Sequence, residues 1–121
     1  TADTVVCIHD RILGKPADRK EAISMLRKLS GNRHLVVTGV SVTTRTEQLS
    51  FSSRTDVFFK HLSNEEIIFY VDTYKPFDKA GAYGIQEWIG YIGIERIEGS
   101  FYNVMGLPVQ KLYETLRKLQ F

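Results

Sequence analysis

The sequence predicts a single α/β domain over residues 1–121, and two kinds of pattern favour that class. Runs rich in valine, isoleucine and threonine indicate strands at Thr4–Ile8 and His34–Thr44. Between these runs, apolar residues recur at helical spacing from Asp18 to Ser30. A chain of 121 residues is long enough to bury one core. We therefore expect about three helices and roughly four or five strands in one unit.

The first elements are predicted to be a buried strand, a short strand and a helix. Thr4–Ile8 is a continuous apolar run, which is typical of a strand buried on both faces. Ile12–Leu13 is predicted to return as a short second strand. Asp18 and Glu21 have the spacing of a capping box at a helix start, and Gly31 is suited to end that helix.

Two long strands and a second helix are predicted next. The strand at His34–Thr44 is followed after a short connection by another at Gln48–Phe59, which favours an antiparallel pair. Ser63 and Glu66 form a second capping box, so a helix is expected from there to about Asp72.

The last third of the chain is predicted to hold one strand, one turn region and one helix. Alternating small and apolar residues favour a strand at Trp88–Ile97, and Gly99–Gly106 is expected to turn, with room for one helical turn. Leu107–Pro108 then opens an amphipathic helix, whose apolar face is formed by Val109, Leu112, Leu116 and Leu119.

Composition excludes several classes of function and favours a cytoplasmic protein. The formal net charge of +2 is too small to indicate binding to nucleic acid. Cys7 is the only cysteine, so no disulfide can form within the chain and a reducing compartment is expected. No apolar run has the length that a membrane span needs, and no signal peptide is recognisable at the start.

The segment Lys79–Gln86 has the composition of a ligand-binding loop. Its glycines allow the backbone to approach a ligand closely, and Lys79 supplies a point charge suited to a phosphate. Gln86 offers both a donor and an acceptor, which the edge of a nucleobase requires. The alternative is an ordinary turn, because isolated glycine-rich loops match such patterns by chance.

Charged residues at the ends of other predicted elements extend this hypothesis. Asp3 adjoins the first strand and Lys15 precedes the first helix, as expected for a site built at element ends in an α/β fold. A carboxylate can hold Mg²⁺ or take a proton from water, and lysines such as Lys15 and Lys79 neutralise phosphate charge. Taken singly, each could be a solvated surface residue.

Short motifs along essentially the whole chain resemble those of Maf proteins and occur in the same order. They are Ala2–Val6, Leu13–Pro16, Leu29–Gly31, His34 with Val37–Val40, Asp78–Gln86 and Asn103–Pro108. The resemblance implies a nucleoside triphosphate pyrophosphatase, which releases pyrophosphate with the help of a divalent metal cation, Mg²⁺ or Mn²⁺. It also implies a mixed twisted sheet flanked by helices, similar to that of the inosine-triphosphate pyrophosphatases, and a homodimer.

The resemblance also implies roles for individual residues. Asp3 matches the family's proton acceptor and a metal ligand, and Lys15 and Lys79 match the lysines that face the triphosphate. Thr4 and Gln86 match the positions that set base choice, in the form that acts on dTTP and UTP. Alternatives are a pyrophosphatase for 7-methyl-GTP, whose branch tends to carry a glutamate in place of Gln86, and a non-catalytic nucleotide-binding regulator of septum formation.

One family segment has no counterpart in the sequence. Maf proteins begin with a strand and a Ser-x-Ser-Pro-Arg-Arg phosphate-binding segment, which is followed by a glutamate and another lysine. We therefore expect this chain to be the C-terminal two-thirds of a Maf protein, lacking about seventy residues. Without those arginines the piece would lose bidentate phosphate contacts, so reduced or absent activity is expected.

Overall fold

A five-stranded antiparallel sheet forms the framework of the computed structural model, which describes residues 1–118. The strand order is β2-β1-β3-β4-β5, and all four pairings are antiparallel. The strands are β1 (Ala2–Ile8), β2 (Arg11–Leu13), β3 (Arg33–Thr43), β4 (Gln48–Phe59) and β5 (Ile94–Glu98). The α/β class is confirmed, and within the described residues the sheet contains no parallel pair.

Within residues 1–118, five α-helices and one 3-10 turn accompany the sheet. The helices are α1 (Arg19–Leu29), α2 (Asn64–Tyr74), α3 (Trp88–Gly93), α4 (Phe101–Met105) and α5 (Val109–Lys118), and the 3-10 turn is Ala80–Ala82. In the described part of the chain, no helix combines the length and the apolar character needed to cross a membrane.

The core lies against one face of the sheet. Val6 pairs with Val36 across β1 and β3, and both are buried together with the apolar sides of α1 and α2. The neighbouring residues Val5 and Cys7 point to the opposite face and are only partly buried. The expectation that β1 is buried on both faces was therefore wrong, because this antiparallel sheet has its core on one side only.

The predicted ends of α1 and α2 are confirmed by their caps. The Asp18 carboxylate accepts a hydrogen bond of 2.9 Å from the Glu21 backbone N–H. At α2, Ser63 and Glu66 form both bonds of a capping box. The helix then ends at Lys75 in the left-handed conformation, with φ of +47°.

The predicted strand at Trp88–Ile97 was wrong in its first half, where the chain forms helix α3 before entering β5. A short alternation of small and apolar residues fits either structure, so the pattern could not separate them. Gly90 lies within α3, and the packing of this helix requires glycine there because a Cβ would lie 1.8 Å from the Ile85 carbonyl oxygen.

The C-terminal region agrees with its prediction. The one helical turn expected within Gly99–Gly106 is α4, and the amphipathic helix after Pro108 is α5. Leu112 and Leu116 are partly buried on α5, whereas Val109 is 48% exposed. Leu119, which was expected to continue the apolar face, lies outside the described residues.

Candidate active site

The five residues singled out in the sequence line one cleft of about 220 Å³. Its walls come from the start of β1, the loop after β2, the segment around the 3-10 turn and the end of α4 with the following Gly106. The sequence-predicted residues in these walls are Asp3, Thr4, Lys15, Lys79 and Gln86. These five residues, up to 83 positions apart on three separate segments of the chain, thus meet in one cavity.

Backbone contact between two loops brings Lys15 and Lys79 to the same cleft. The Gly81 N–H donates a hydrogen bond of 3.1 Å to the Gly14 carbonyl oxygen, so the 3-10 turn lies against the loop that carries Lys15. Gly81 has φ of +71°, and a Cβ there would approach the Val6 methyl groups to 3.1 Å. Only glycine satisfies both conditions without strain.

Carboxylates flank the ammonium group of Lys79. Its Nζ lies 3.1 Å from Asp78 Oδ1 and 3.9 Å from Glu87 Oε1. The hydrogen bond from Lys79 holds the pKa of the Asp78 carboxyl below its usual value. The Lys79 side chain is 29% exposed, so its charge is partly shielded from water but faces the cleft. Such a cation can exchange a carboxylate partner for an entering phosphate.

A buried tyrosine positions Glu87 beside Lys79. The Tyr70 hydroxyl donates to Glu87 Oε1 at 2.7 Å and accepts from the Gly84 N–H at 3.1 Å. Burial, and then the bond to Glu87, raise the pKa of Tyr70, so the phenol stays protonated. The sequence did not indicate Tyr70 and Glu87 as site residues. Tyr70 occupies a position on the apolar face of α2, like any core residue, and Glu87 is 17 residues away from it in the chain.

Hydroxyl groups and a buried amide support the part of the cleft wall that is formed by β1 and α4. Thr4 Oγ1 lies 2.9 Å from Thr38 Oγ1 on the neighbouring strand. The Asn103 side-chain amide donates to the Ser53 carbonyl oxygen at 3.1 Å and to Thr55 Oγ1 at 2.8 Å. These bonds join α4 to the sheet and so fix the cleft residues Val104 to Gly106.

A buried imidazole lies behind the loop at Tyr83. His34 Nε2 and the Tyr83 hydroxyl are joined by a hydrogen bond of 2.7 Å, and the His34 ring stacks on Phe59. His34 is 2% exposed, and this burial lowers its pKa from 6.5 to about 4. The imidazole is therefore neutral at pH 7 and serves to anchor the loop.

Stability is expected to fall between pH 6.5 and pH 4 because of His34. The unfolded chain binds a proton on this imidazole below about pH 6.5, whereas the folded protein does so only below about pH 4. The free energy of unfolding should drop by about 2–3 kcal/mol between pH 7 and pH 4.5. Urea unfolding at both pH values checks this, and His34→Gln should lose most of the pH dependence. An equal drop in both proteins would contradict the assignment.

The donor set of the cleft suits a hard divalent cation that keeps several waters. Asp3 and Asp78 both line the cleft and offer carboxylate oxygens, and Asp3 is exposed. Within residues 1–118, no group of three or more histidine, cysteine, aspartate or glutamate residues forms a closed metal cage. Mg²⁺ is commonly held by one or two carboxylates together with substrate phosphates, so these residues fit such an ion.

Comparison with known proteins relates the chain to one family. A family profile described as "Maf-like protein" matches residues 1–119. A protein of Bacteroides thetaiotaomicron named dTTP/UTP pyrophosphatase is 60% identical over 119 residues, covering 98% of this chain and 62% of the relative. Proteins with the same name from Porphyromonas gingivalis W83 and Parabacteroides distasonis are 63% and 59% identical over 117 residues, covering 97% of this chain. The chain spans 59% and 61% of the lengths of these two relatives.

Proposed function

Because the chain belongs to the Maf family, we propose that it carries the catalytic cleft of a nucleoside triphosphate pyrophosphatase. The substrates are dTTP and UTP, together with modified pyrimidine nucleotides, and the products are the monophosphate and pyrophosphate. The observation that carries this proposal is the meeting of Asp3, Lys15 and Lys79 in one cleft. A carboxylate beside two cations suits water attack on a phosphate chain, whose charge the cations neutralise.

Each polar residue has a distinct role in the proposed reaction. Asp3 takes the proton from a water molecule that attacks the α-phosphorus, and pyrophosphate leaves with the electrons of the broken P–O bond. Lys15 and Lys79 bind the oxygens of the triphosphate and orient it for this attack. Tyr70 and Glu87 keep the Lys79 side chain against the cleft wall.

A divalent metal cation, Mg²⁺ or Mn²⁺, belongs to this proposal. Asp3 would hold it, and Asp78 is the second carboxylate within the cleft. When bound, the ion neutralises phosphate charge and lowers the pKa of a bound water. The Asp3 residue is exposed at the start of β1, so water can reach its carboxylate.

Pyrophosphate release is the direct test. The chain is incubated with Mg²⁺ or Mn²⁺ and with dTTP, UTP, CTP or 7-methyl-GTP, and the Bacteroides thetaiotaomicron relative serves as the positive control. Release from dTTP and UTP above release from the other two, at a rate lower than that of the relative, is the expected result. Nucleotide binding without release would instead favour a non-catalytic regulator, and activity on 7-methyl-GTP alone would show that the base was misassigned.

Gln86→Glu is expected to shift base preference away from dTTP and UTP. A neutral amide can donate to a pyrimidine carbonyl, whereas a carboxylate can only accept. We expect kcat/KM for dTTP to fall about tenfold or more, which corresponds to one hydrogen bond replaced by repulsion. Steady-state kinetics with dTTP and 7-methyl-GTP measure the shift. An unchanged ratio between these two substrates would exclude Gln86 from base recognition.

We further propose that the chain acts as a single domain in a cytoplasmic homodimer. The shared core of α1, α2 and the sheet supports one domain, and the lone Cys7 suits a reducing compartment. Partly exposed apolar residues on the sheet face opposite the core, such as Val5 and Val37, support association. Sedimentation velocity distinguishes a dimer from a monomer.

A further inference from the structure

Three polar groups form a chain that leads from the cleft into the protein. Thr4 Oγ1 lies in the cleft wall, 2.9 Å from Thr38 Oγ1. Thr38 Oγ1 lies 3.3 Å from the backbone carbonyl oxygen of Asn103. Thr38 is 0% exposed, so solvent cannot serve as a partner for its hydroxyl. Which of these groups donates a hydrogen bond and which accepts it is therefore determined by protein groups alone.

Counting hydrogen atoms gives that direction. Each threonine hydroxyl has one hydrogen to donate, and the Asn103 carbonyl can only accept. If Thr38 donates to Asn103, Thr4 can donate to Thr38 and two hydrogen bonds form. If Thr38 instead donates to Thr4, the contact with the carbonyl contains no hydrogen and only one bond forms. The Asn103 carbonyl also accepts from the Gly106 N–H at 3.0 Å in either case. The first arrangement is favoured because it forms one more hydrogen bond inside the protein.

In the favoured arrangement the Thr4 hydroxyl presents only lone pairs to the cleft. Space for a ligand remains beside it, because the neighbouring residue is Gly106, whose added Cβ would still lie 3.7 Å from Thr4 Oγ1. Gln86 is different, since its side chain is exposed and has no hydrogen-bond partner in residues 1–118. Its amide can turn to donate or to accept. Of these two side chains, only Thr4 therefore has a fixed role toward a ligand, as a hydrogen-bond acceptor.

We propose that Thr38 and the Asn103 carbonyl make the cleft selective for bases that carry a hydrogen on the ring nitrogen. This inference rests on the proposed function, in which the cleft takes pyrimidine triphosphates. Uracil and thymine have an N3–H that donates to the Thr4 lone pair. Cytosine has an unprotonated N3, so its lone pair would face the lone pair of the Thr4 hydroxyl. Thr38 does not line the cleft and acts through Thr4, as a positioning residue.

The test compares UTP with CTP in three proteins. Dissociation constants are measured by calorimetry with Mg²⁺ and the uncleavable α,β-methylene analogues of UTP and CTP, and pyrophosphate release from UTP and CTP is measured in parallel, for the wild type, Thr38→Val and Thr38→Ser. Valine has nearly the shape of threonine but no hydroxyl, and serine keeps the hydroxyl. In Thr38→Val the Thr4 hydroxyl can turn and donate to cytosine N3. The preference for UTP should fall about tenfold in Thr38→Val and be retained in Thr38→Ser.

Several outcomes overturn the inference. It fails if Thr38→Val keeps the wild-type ratio of UTP to CTP affinity, or if both variants lose affinity for the two nucleotides equally. If Thr38→Val does not fold, Thr4→Val replaces it and should weaken UTP binding while leaving CTP binding unchanged; equal effects on both would overturn the inference.

The two proposals fail in different ways. A wild-type protein that prefers UTP to CTP in binding but releases no pyrophosphate would support this inference and overturn the proposed catalysis. A wild-type protein that releases pyrophosphate but binds UTP and CTP equally would overturn this inference and leave the catalysis standing. A wild type that binds neither nucleotide would overturn both.

Discussion

Asp3→Asn is expected to lower pyrophosphate release from dTTP by at least about a hundredfold, the usual range for loss of a general base. The amide keeps the shape of the carboxylate but cannot take a proton from water at neutral pH. Asp3 is exposed, and its backbone pairs with Gly39 across β1 and β3, a pairing that the substitution leaves intact. Steady-state release assays and thermal unfolding of the same preparations measure both effects.

Asp10→Asn is a matched control for this experiment. Asp10 is also exposed and lies in the β1–β2 turn, outside the cleft, with φ of +61°, a conformation that asparagine tolerates. The same chemical change there should leave both release and melting temperature close to wild type. If Asp3→Asn retains wild-type turnover, Asp3 is not the proton acceptor, and the proposed mechanism loses its central residue.

Gly90→Ala is expected to lower the free energy of unfolding by about 3 kcal/mol or more, and it can prevent folding altogether. The added Cβ would lie 1.8 Å from the Ile85 carbonyl oxygen and 2.7 Å from its carbon, so backbone has to move. That movement would displace the Gly84–Glu87 turn. This turn carries Gln86, which lines the cleft. Urea unfolding followed by circular dichroism measures the loss.

Gly39→Ala is the control for replacing a glycine by alanine at a position with room for the added Cβ. Gly39 lies in β3, its φ is not in the left-handed region, and a Cβ built there meets no heavy atom within 4 Å. Its effect should stay below about 1 kcal/mol, because strand propensity changes little between these residues. Equal losses from Gly90→Ala and Gly39→Ala would show that close packing at Gly90 is not what determines the fold of α3.

The candidate site could be predicted from the sequence to an unusual extent because its polar residues stand out from their surroundings. Lys79 and Gln86 bracket a glycine-rich segment, and Asp3 interrupts the start of an apolar run. Recognition of the family motifs then assigned a role to each. What the sequence did not reveal are the supporting residues, such as Tyr70 and Thr38, since a buried tyrosine or threonine resembles any other core or strand residue.

Local patterns by themselves determined the elements that have strong local causes. Capping residues defined the starts of α1 and α2, and runs of β-branched residues defined β1 and β3, because both depend on near neighbours in the chain. Tertiary structure alone decided the helix at Trp88–Gly93 and the one-sided burial of the sheet. These features depend on contacts between distant residues.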